Sequence, residues 1–219
     1  MSPMPIKREG SDYGAHETEC GKHPSATALR RLLSCENING ALKFIPQSAA
    51  NYLLNAINTQ SAPTRMSTLD HLIVGFFRLH SPEQLSKIAE MQGGLANRLH
   101  AVAYECATYD EMLHAASSKS YPTARLRRAI LFALTRVTVQ DLQTAPAYLS
   151  LLAANETGRT LLREWKEVSP IPVYAKFADA ASVGTRQAAL SAALDAVFTL
   201  AQPDACGADV WIKHPPCMF

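Results

Sequence analysis

Apolar side chains that recur at intervals of three and four residues constrain the fold of this chain more than any other feature. In residues 67–79 these positions are Leu69, Leu72, Ile73, Phe76 and Phe77. The spacing places them on one face of a helix, and that face must be buried against other elements. Alanine is abundant and only 10 of the 219 residues are glycine, so intrinsic propensity also favours helix. The sequence therefore predicts a mainly α-helical protein.

Helix-start signals divide the helical region further. Ser81, Pro82 and Gln84 provide an N-cap, a first-turn proline and a capping-box partner, and the helix that they open is predicted to end at residue 93. The other predicted elements are helices over 25–35, 48–59, 67–79, 95–106, 108–118, 123–137, 157–167 and 184–201, and two short strands over 147–153 and 171–177. This order predicts a multi-helix domain with a small strand pair.

Changes in composition mark the limits of the predicted domains. Proline, glycine and polar residues are frequent up to position 24, and a new unit begins at Pro46. The predicted domains are residues 1–45, a helical domain over 46–203 and a loosely held tail over 204–219. Within the helical domain, Trp165 is predicted to lie in the core because it has helical spacing from Leu161 and Leu162.

Composition and charge favour a soluble intracellular protein. The net charge of +2 is compatible with RNA binding without demanding it. Asp, Arg or His interrupts the apolar stretches, and the amino terminus has no apolar signal segment. The sequence therefore predicts no transmembrane helix, no signal peptide and no membrane partner. The five cysteines are scattered and odd in number, which favours reduced thiols and a cytoplasmic location.

One group of metal-ligating side chains lies near the amino terminus. His16, Cys20 and His23 could supply three zinc ligands. No fourth ligand lies nearby, and the segment is typical of a polar loop. The sequence therefore predicts no metal site.

A short motif near the amino terminus suits phosphate. Ser25 and Thr27 open a predicted helix, and Arg30 follows one turn later. The first N–H groups of a helix have no partner inside it and carry the positive end of its dipole. An arginine beside them can bind two phosphate oxygens. The same spacing is also that of an ordinary capped helix start, so both interpretations stay open at this point.

The helix predicted over 123–137 carries a basic face. At 100° per residue, Arg125, Arg128 and Arg136 fall away from the apolar arc and flank Phe132, and Arg127 lies at the border. Further candidates are Lys119 and Tyr121 in the preceding loop, and Arg98 on the 95–106 helix. Arginine interleaved with aromatic residues is typical of phosphate contacts and base stacking in RNA. The alternative is a solvated face, or arginines paired with acids elsewhere.

Two sets of motifs resemble known families. Ser25-Ala26-Thr27-Ala28-Leu29-Arg30 resembles the second ATP motif of the HIGH-type nucleotidylyltransferases. The longer runs are Gly94-Leu95-Ala96-Asn97-Arg98-Leu99, then Lys119 to Arg128, then Pro146 to Leu152, then Thr157 to Leu162. In that order and with those gaps, they resemble the carboxy-terminal half of the tRNA(Met) cytidine acetate ligase family. The residues from Ile6 to Tyr13 also fit that family.

The resemblance implies an ATP-dependent reaction on RNA. In that family, acetate and ATP give acetyl-adenylate and pyrophosphate, and the acetyl group passes to N4 of the wobble cytidine of elongator tRNA(Met). The resemblance therefore implies that the chain binds ATP with Mg²⁺, acetate and tRNA. It implies ATP contacts for Arg8, Ser25, Thr27 and Arg30. It implies tRNA contacts for Arg98, Lys119, Tyr121, Arg125, Arg127 and Arg128.

The family's first ATP motif, His-x-Gly-His, does not occur among the seven histidines of the sequence. The resemblance then implies that residues 1–45 are a remnant of a Rossmann-like α/β nucleotidyltransferase domain. It also implies a chain that is inactive until a missing amino-terminal half completes the site. No catalytic residue is assigned. Two alternatives stay open: a non-catalytic helical RNA-binding module, and a nucleotidyltransferase-like enzyme that acts on another substrate.

Overall fold

The chain forms two compact units. A computed structural model describes residues 4–5, 23–35, 37–208 and 216–218. The first unit is Met1–Pro63 and the second is Thr64–Phe219. The boundary predicted at Pro46 concerns functional domains and stays a prediction.

The described part of the first unit consists of helices with local caps. They are α1 (Ala26–Ser34), α2 (Ile38–Leu42) and α3 (Gln47–Asn58). The side chains of Ser25 and Asn37 accept the N–H groups of Ala28 and Gly40, each at 3.0 Å. These bonds satisfy donors that have no partner inside the helix. The described residues of this unit are helical, so the expected Rossmann-like α/β remnant is not confirmed.

The second unit begins with a series of helices. A 3₁₀ turn (Met66–Leu69) precedes α4 (Asp70–Leu79), α5 (Pro82–Leu85), α6 (Leu95–Glu105), α7 (Tyr109–Ala116), α8 (Thr123–Thr135) and α9 (Val139–Gln143). Ser81, Thr108 and Thr138 each form a capping box with the third residue of the helix that follows. These reciprocal bonds are local, and the helix starts predicted at Ser81 and Thr108 are therefore confirmed.

The apolar faces of these helices form the main core. Ile73 and Phe77 of α4, Met112 of α7 and Ile130 of α8 are fully buried. Burying each such side chain contributes about 1.5–3 kcal/mol. Leu72, on the edge of the predicted face of α4, is 43% exposed. The three-and-four spacing therefore correctly predicted a helix with one buried face.

The prediction of a helix from Ser81 to residue 93 is wrong beyond the first turn. Helix α5 ends at Leu85, and residues 86–94 form turns that lie along α8. Ile88 forms an isolated antiparallel bridge with Thr138, and the N–H of Ala89 donates to the Val137 carbonyl at 2.9 Å. Gly93 and Gly94 have positive φ angles. Backbone contacts with a distant segment replace the helical hydrogen bonds here.

The carboxy-terminal part of the second unit contains short parallel strands. Its elements are β1 (Leu149–Ser150), β2 (Ala153–Ala154), α10 (Glu156–Val168), β3 (Val173–Tyr174), α11 (Phe177–Ser182), α12 (Arg186–Leu200) and β4 (Cys217–Met218). β1 pairs with β3 in parallel, with α10 between them in the chain, so the predicted strand pair is confirmed. β2 pairs with β4 in parallel, and the loosely held tail over 204–219 stays a prediction.

Trp165 does not lie in the core, contrary to the prediction. Its side chain is 59% exposed, and its neighbours Leu161 and Val168 are 58% and 76% exposed. Helix α10 has the expected apolar face, but within the described residues no element covers these three side chains. Helical spacing predicts that a helix has an apolar face and does not predict what packs on that face.

Candidate functional site

The start of α1 presents the residues of the proposed phosphate motif. Ser25 has extended backbone angles, its hydroxyl accepts the Ala28 N–H at 3.0 Å, and it is 2% exposed. Thr27 is half-buried in the first turn, and Arg30 is exposed one turn later. The ordinary helix cap that the sequence allowed is therefore present. Arg8 lies outside the described residues, so its relation to this helix start stays a prediction.

Tyr121 is the centre of a cation–aromatic cluster in the second unit. The guanidinium carbons of Arg98 and Arg125 lie over its ring, 5.8 and 5.6 Å from the ring centroid. Its hydroxyl donates a hydrogen bond to the Gly93 carbonyl. Cation–π contacts of this kind hold flat groups in a fixed orientation. Three residues that are distant in the chain are thus brought together, and the tRNA contacts that the resemblance implies for them stay a prediction.

Arg98 also closes the end of α7. Its Nε and a terminal guanidinium nitrogen donate to the carbonyls of Ala116 and Ala115 at 2.7 and 2.9 Å. The last carbonyls of a helix have no partner inside it and carry its negative end. Arg98 therefore has a structural role in addition to its position beside Tyr121.

Glu90 organises the basic face of α8. Arg128 donates to one Glu90 carboxylate oxygen through Nε and a terminal nitrogen, at 3.0 and 2.9 Å. Arg125 lies 3.4 Å from the other oxygen and donates to the backbone carbonyls of Glu90 and Gln92 at 3.0 and 2.7 Å. The sequence left open the alternative that these arginines pair with acids elsewhere in the chain. Arg125 and Arg128 do pair in this way, with Glu90. Sequence reasoning missed Glu90 because its partners follow it by 35 and 38 residues.

The remaining members of the predicted basic face do not all join this cluster. Arg127 follows Arg125 by two residues, or about 200° around the helix, and it interacts with Tyr109 instead. Burial raises the pKa of the Tyr109 hydroxyl, and the charge and hydrogen bond of Arg127 oppose that rise. Lys119 is exposed in the loop before α8. Phe132 is partly buried against the core, which corrects the expectation that it interleaves with the arginines.

Two further sequence predictions can be compared with the described residues. In that part of the chain no group of three or more His, Cys, Asp or Glu side chains could hold a metal ion, and His16 and Cys20 lie outside it. None of the helices it contains is both long enough and apolar enough to cross a bilayer.

The chain is similar to tRNA(Met) cytidine acetate ligases. It is 28% identical over 178 residues to the protein of Thermoanaerobacter sp. (strain X514), covering 80% of this chain and 44% of the relative. It is 29% identical over 187 residues to that of Clostridium perfringens (strain ATCC 13124), covering 83% of this chain and 44% of the relative. The chain therefore spans about half the length of the curated relatives that it matches.

Solved structures show the same fold. The apo crystal structure of Thermotoga maritima TmcAL superposes with a TM-score of 0.87 at 22% identity, covering 98% of this chain and 55% of that chain. A second structure of that protein, bound with alpha-thio ATP, has a TM-score of 0.81 at 22% identity and covers 89% of this chain and 52% of that one. The family model described as HIGH Nucleotidyl Transferase matches residues 1–209. The resemblance noted from the motifs is thus confirmed, and the chain belongs to the HIGH nucleotidyl transferase family.

Proposed function

We propose that this chain takes part in the ATP-dependent acetylation of tRNA, as the tRNA-binding part of a cytidine acetate ligase. The observation that carries the proposal is the Tyr121 cluster, in which the two guanidinium groups of Arg98 and Arg125 lie over one ring. It is supported by the similarity to tRNA(Met) cytidine acetate ligases. The expected RNA is the elongator tRNA(Met), and the expected acyl donor is acetate.

The tRNA-binding residues would be Arg98, Lys119, Tyr121, Arg125, Arg127 and Arg128. Arg127 lies about 200° around α8 from Arg125 and would contact the RNA from outside the face that holds Arg125 and Arg128. Arg125 and Arg128 share one carboxylate, so their contribution to long-range attraction is smaller than two full charges. Their value would lie in orientation, because a guanidinium that is already held in place loses less side-chain entropy when it binds a phosphate. Lys119, which is exposed, would contribute mainly charge.

The ATP-binding part would lie at the start of α1. Ser25 and Thr27 are in or beside the first turn, where unpaired N–H groups attract phosphate. The exposed guanidinium of Arg30, together with Arg8, would neutralise negative charge as pyrophosphate leaves. Mg²⁺ would accompany ATP and screen its phosphates. A related protein was solved with an ATP analogue, which supports the ligand class and not these contacts.

Titration of the full chain with elongator tRNA(Met), at about 50 and 200 mM salt, tests the proposal. We expect binding that weakens as salt rises, because phosphate contacts release counterions. The variant with both Arg125→Ala and Arg128→Ala should bind more weakly. The plot of log K, the binding constant, against log salt should become shallower by up to about 2, or about 1 for each lost contact.

A double variant on α10 provides the control for charge. Arg159→Ala with Arg163→Ala removes the same formal charge from exposed positions of another helix. An equal loss of affinity in this control would contradict a specific role of the α8 face. Because Arg125 also holds residues 90 and 92, Lys119→Ala serves as a second test without a described structural contact. It should lower affinity while leaving the melting temperature unchanged.

A second candidate function is a helical RNA-binding module without catalysis. It is favoured by the location of every proposed tRNA contact in the second unit, Thr64–Phe219, whereas the ATP motif lies in the first. Acetate-dependent release of pyrophosphate from ATP separates the two. Release by the chain, alone or with an added amino-terminal half, supports the ligase, and retained tRNA binding without release supports the module.

A further inference from the structure

A cleft between the end of α4 and the end of α8 is not used by the function proposed above. Its volume is about 340 Å³, near the lower end of the about 300–1,000 Å³ that is typical of small-ligand pockets. The residues that line it include Phe76, His80, Gln84, Lys87, Arg136 and Thr138. They come from four places in the second unit, so tertiary packing alone creates the cleft.

One side of the cleft is formed by stacked rings. The rings of Phe76 and His80 are 4.0 Å apart at an angle of 20°. The His80 Nδ1 lies 2.8 Å from the Phe76 carbonyl oxygen, and a carbonyl can only accept, so Nδ1 carries the hydrogen. This bond fixes the rotation of the imidazole ring. A ring held in this way is a ready platform for another flat group.

Two positively charged side chains, Lys87 and Arg136, also line the cleft. Lys87 and Arg136 are both exposed, and within the described residues no carboxylate lies within 4 Å of either side chain. Arg136 ends α8 in a left-handed conformation with φ of 56°. Lys87 is in the same turn segment as Glu90, which holds the arginines of α8. The cleft is therefore contiguous along the chain with the proposed RNA-binding face.

We propose that this cleft binds one unstacked nucleotide of the RNA, and this inference rests on the function proposed above. The base would stack beside the ring of His80, and its phosphate would lie between the ammonium of Lys87 and the guanidinium of Arg136. RNA-binding proteins commonly splay single-stranded bases onto aromatic rings, including histidine, and clamp the flanking backbone with cations. A continuous duplex has no free base, so the cleft would distinguish loops from helices.

Binding of the full chain to two RNA probes tests this inference. One probe is a single-stranded oligoribonucleotide and the other is a duplex with the same number of phosphates. His80→Ala should weaken binding of the single strand about tenfold, the range expected for one base stacked on an aromatic ring, and should leave duplex binding unchanged. His80→Phe should restore the single-strand affinity. Lys87→Ala should weaken binding of the single strand more than binding of the duplex, and it should lower the salt dependence of single-strand binding.

His71→Ala is the matched control, since His71 is an exposed histidine on α4, the helix that ends just before His80, and does not line the cleft. It should bind both probes like the unaltered chain. Equal weakening of both probes by His80→Ala, or no restoration by His80→Phe, overturns the inference. An unaltered chain that binds no RNA contradicts both proposals. If His80→Ala leaves tRNA binding unchanged, only the inference about the cleft is contradicted.

Discussion

Single residues in this chain perform more than one task, and Asp141 is the clearest case. One carboxylate oxygen accepts the backbone N–H and the hydroxyl of Thr138, each at 2.8 Å. The carboxylate also pairs with Arg186, at 2.9 and 3.0 Å. Arg186 in turn donates to the Arg136 carbonyl. Asp141 therefore links the start of α9, the start of α12 and the end of α8.

Asp141→Asn should reduce the free energy of unfolding at neutral pH by about 1–3 kcal/mol, because it leaves charged or polar partners unpaired. The hydrogen bond from Arg186, and then those from Thr138, hold the pKa of Asp141 well below its usual range. A lowered native pKa stabilises the fold above the unfolded value of about 3.9 and loses that effect as the pH falls further. Urea unfolding at several pH values should therefore show the difference between the two proteins shrinking below about pH 4.

Asp110→Asn is a suitable control for Asp141, because Asp110 is an exposed carboxylate in the first turn of α7. Its replacement should change the free energy of unfolding by less than about 0.5 kcal/mol. A pH-independent difference between unaltered protein and Asp141→Asn would contradict the ionic role of Asp141.

At the scale of elements, the turn segment 86–94 determines how the basic face is built. It supplies the Glu90 carboxylate and carbonyl to α8 and the Gly93 carbonyl to Tyr121. Gly94 begins α6 with a φ of 84°, and a Cβ atom there would lie 3.2 Å from the Tyr121 hydroxyl. Two constraints therefore favour glycine at this position: the left-handed backbone and the close approach of a side chain.

Gly94→Ala should destabilise the chain by about 1 kcal/mol or more, since alanine is strained at positive φ, and it should also weaken tRNA binding by displacing Tyr121. Gly93→Ala separates these effects. Gly93 has a φ of 72° but open space around its Cβ position, so it should lose stability and keep most of its tRNA affinity. Thermal unfolding and tRNA titration of both variants measure the difference.

Gly75→Ala is a control that should change stability in the opposite direction. Gly75 lies within α4, and its Cβ position has no atom within 4 Å. Alanine should therefore stabilise the chain there by about 0.4–1 kcal/mol.

The comparison of Gly93→Ala with Gly94→Ala has one outcome that contradicts the prediction. Equal tRNA affinities for these two variants would mean that Tyr121 does not depend on its contact with Gly94.

At the scale of the whole molecule, apolar surface is distributed unevenly. The main core buries Ile73 completely, whereas Leu152, Leu161, Trp165 and Val168 are all more than half exposed. These side chains lie on or beside α10, next to a groove lined by Leu151, Leu162 and Trp165. An exposed apolar patch of this kind adds little to the stability of the chain, because most of its surface stays in contact with water.

Trp165→Ser should therefore change the free energy of unfolding by no more than about 0.5 kcal/mol and should reduce aggregation. Ile73→Ala, in the main core, should lower it by about 2–5 kcal/mol because it leaves a cavity. Chemical denaturation of both variants provides the comparison. A loss from Trp165→Ser as large as that from Ile73→Ala would show that Trp165 is buried in solution.

The sequence by itself determined the features that depend on neighbouring residues. Ser81 and Thr108 cap helices because their partners are three residues away, and the spacing around Ile73 and Phe77 specifies a buried helical face. The order of β1, α10 and β3 along the chain was predictable from the change in apolar period. The motifs that carry the family resemblance are also short and local. Local hydrogen bonds and apolar periodicity can be identified directly from the order of the residues.

Only the tertiary structure decided the features that depend on distant partners. In the folded chain α5 ends at Leu85, and Trp165 is exposed. Glu90 pairs there with Arg125 and Arg128. An arginine on a helix surface has the same local pattern whether it faces water, RNA or a carboxylate more than thirty residues away. An apolar stripe likewise has the same pattern whether or not it is covered. Packing selects among these outcomes, since the free energy of each depends on which surfaces the folded chain brings together.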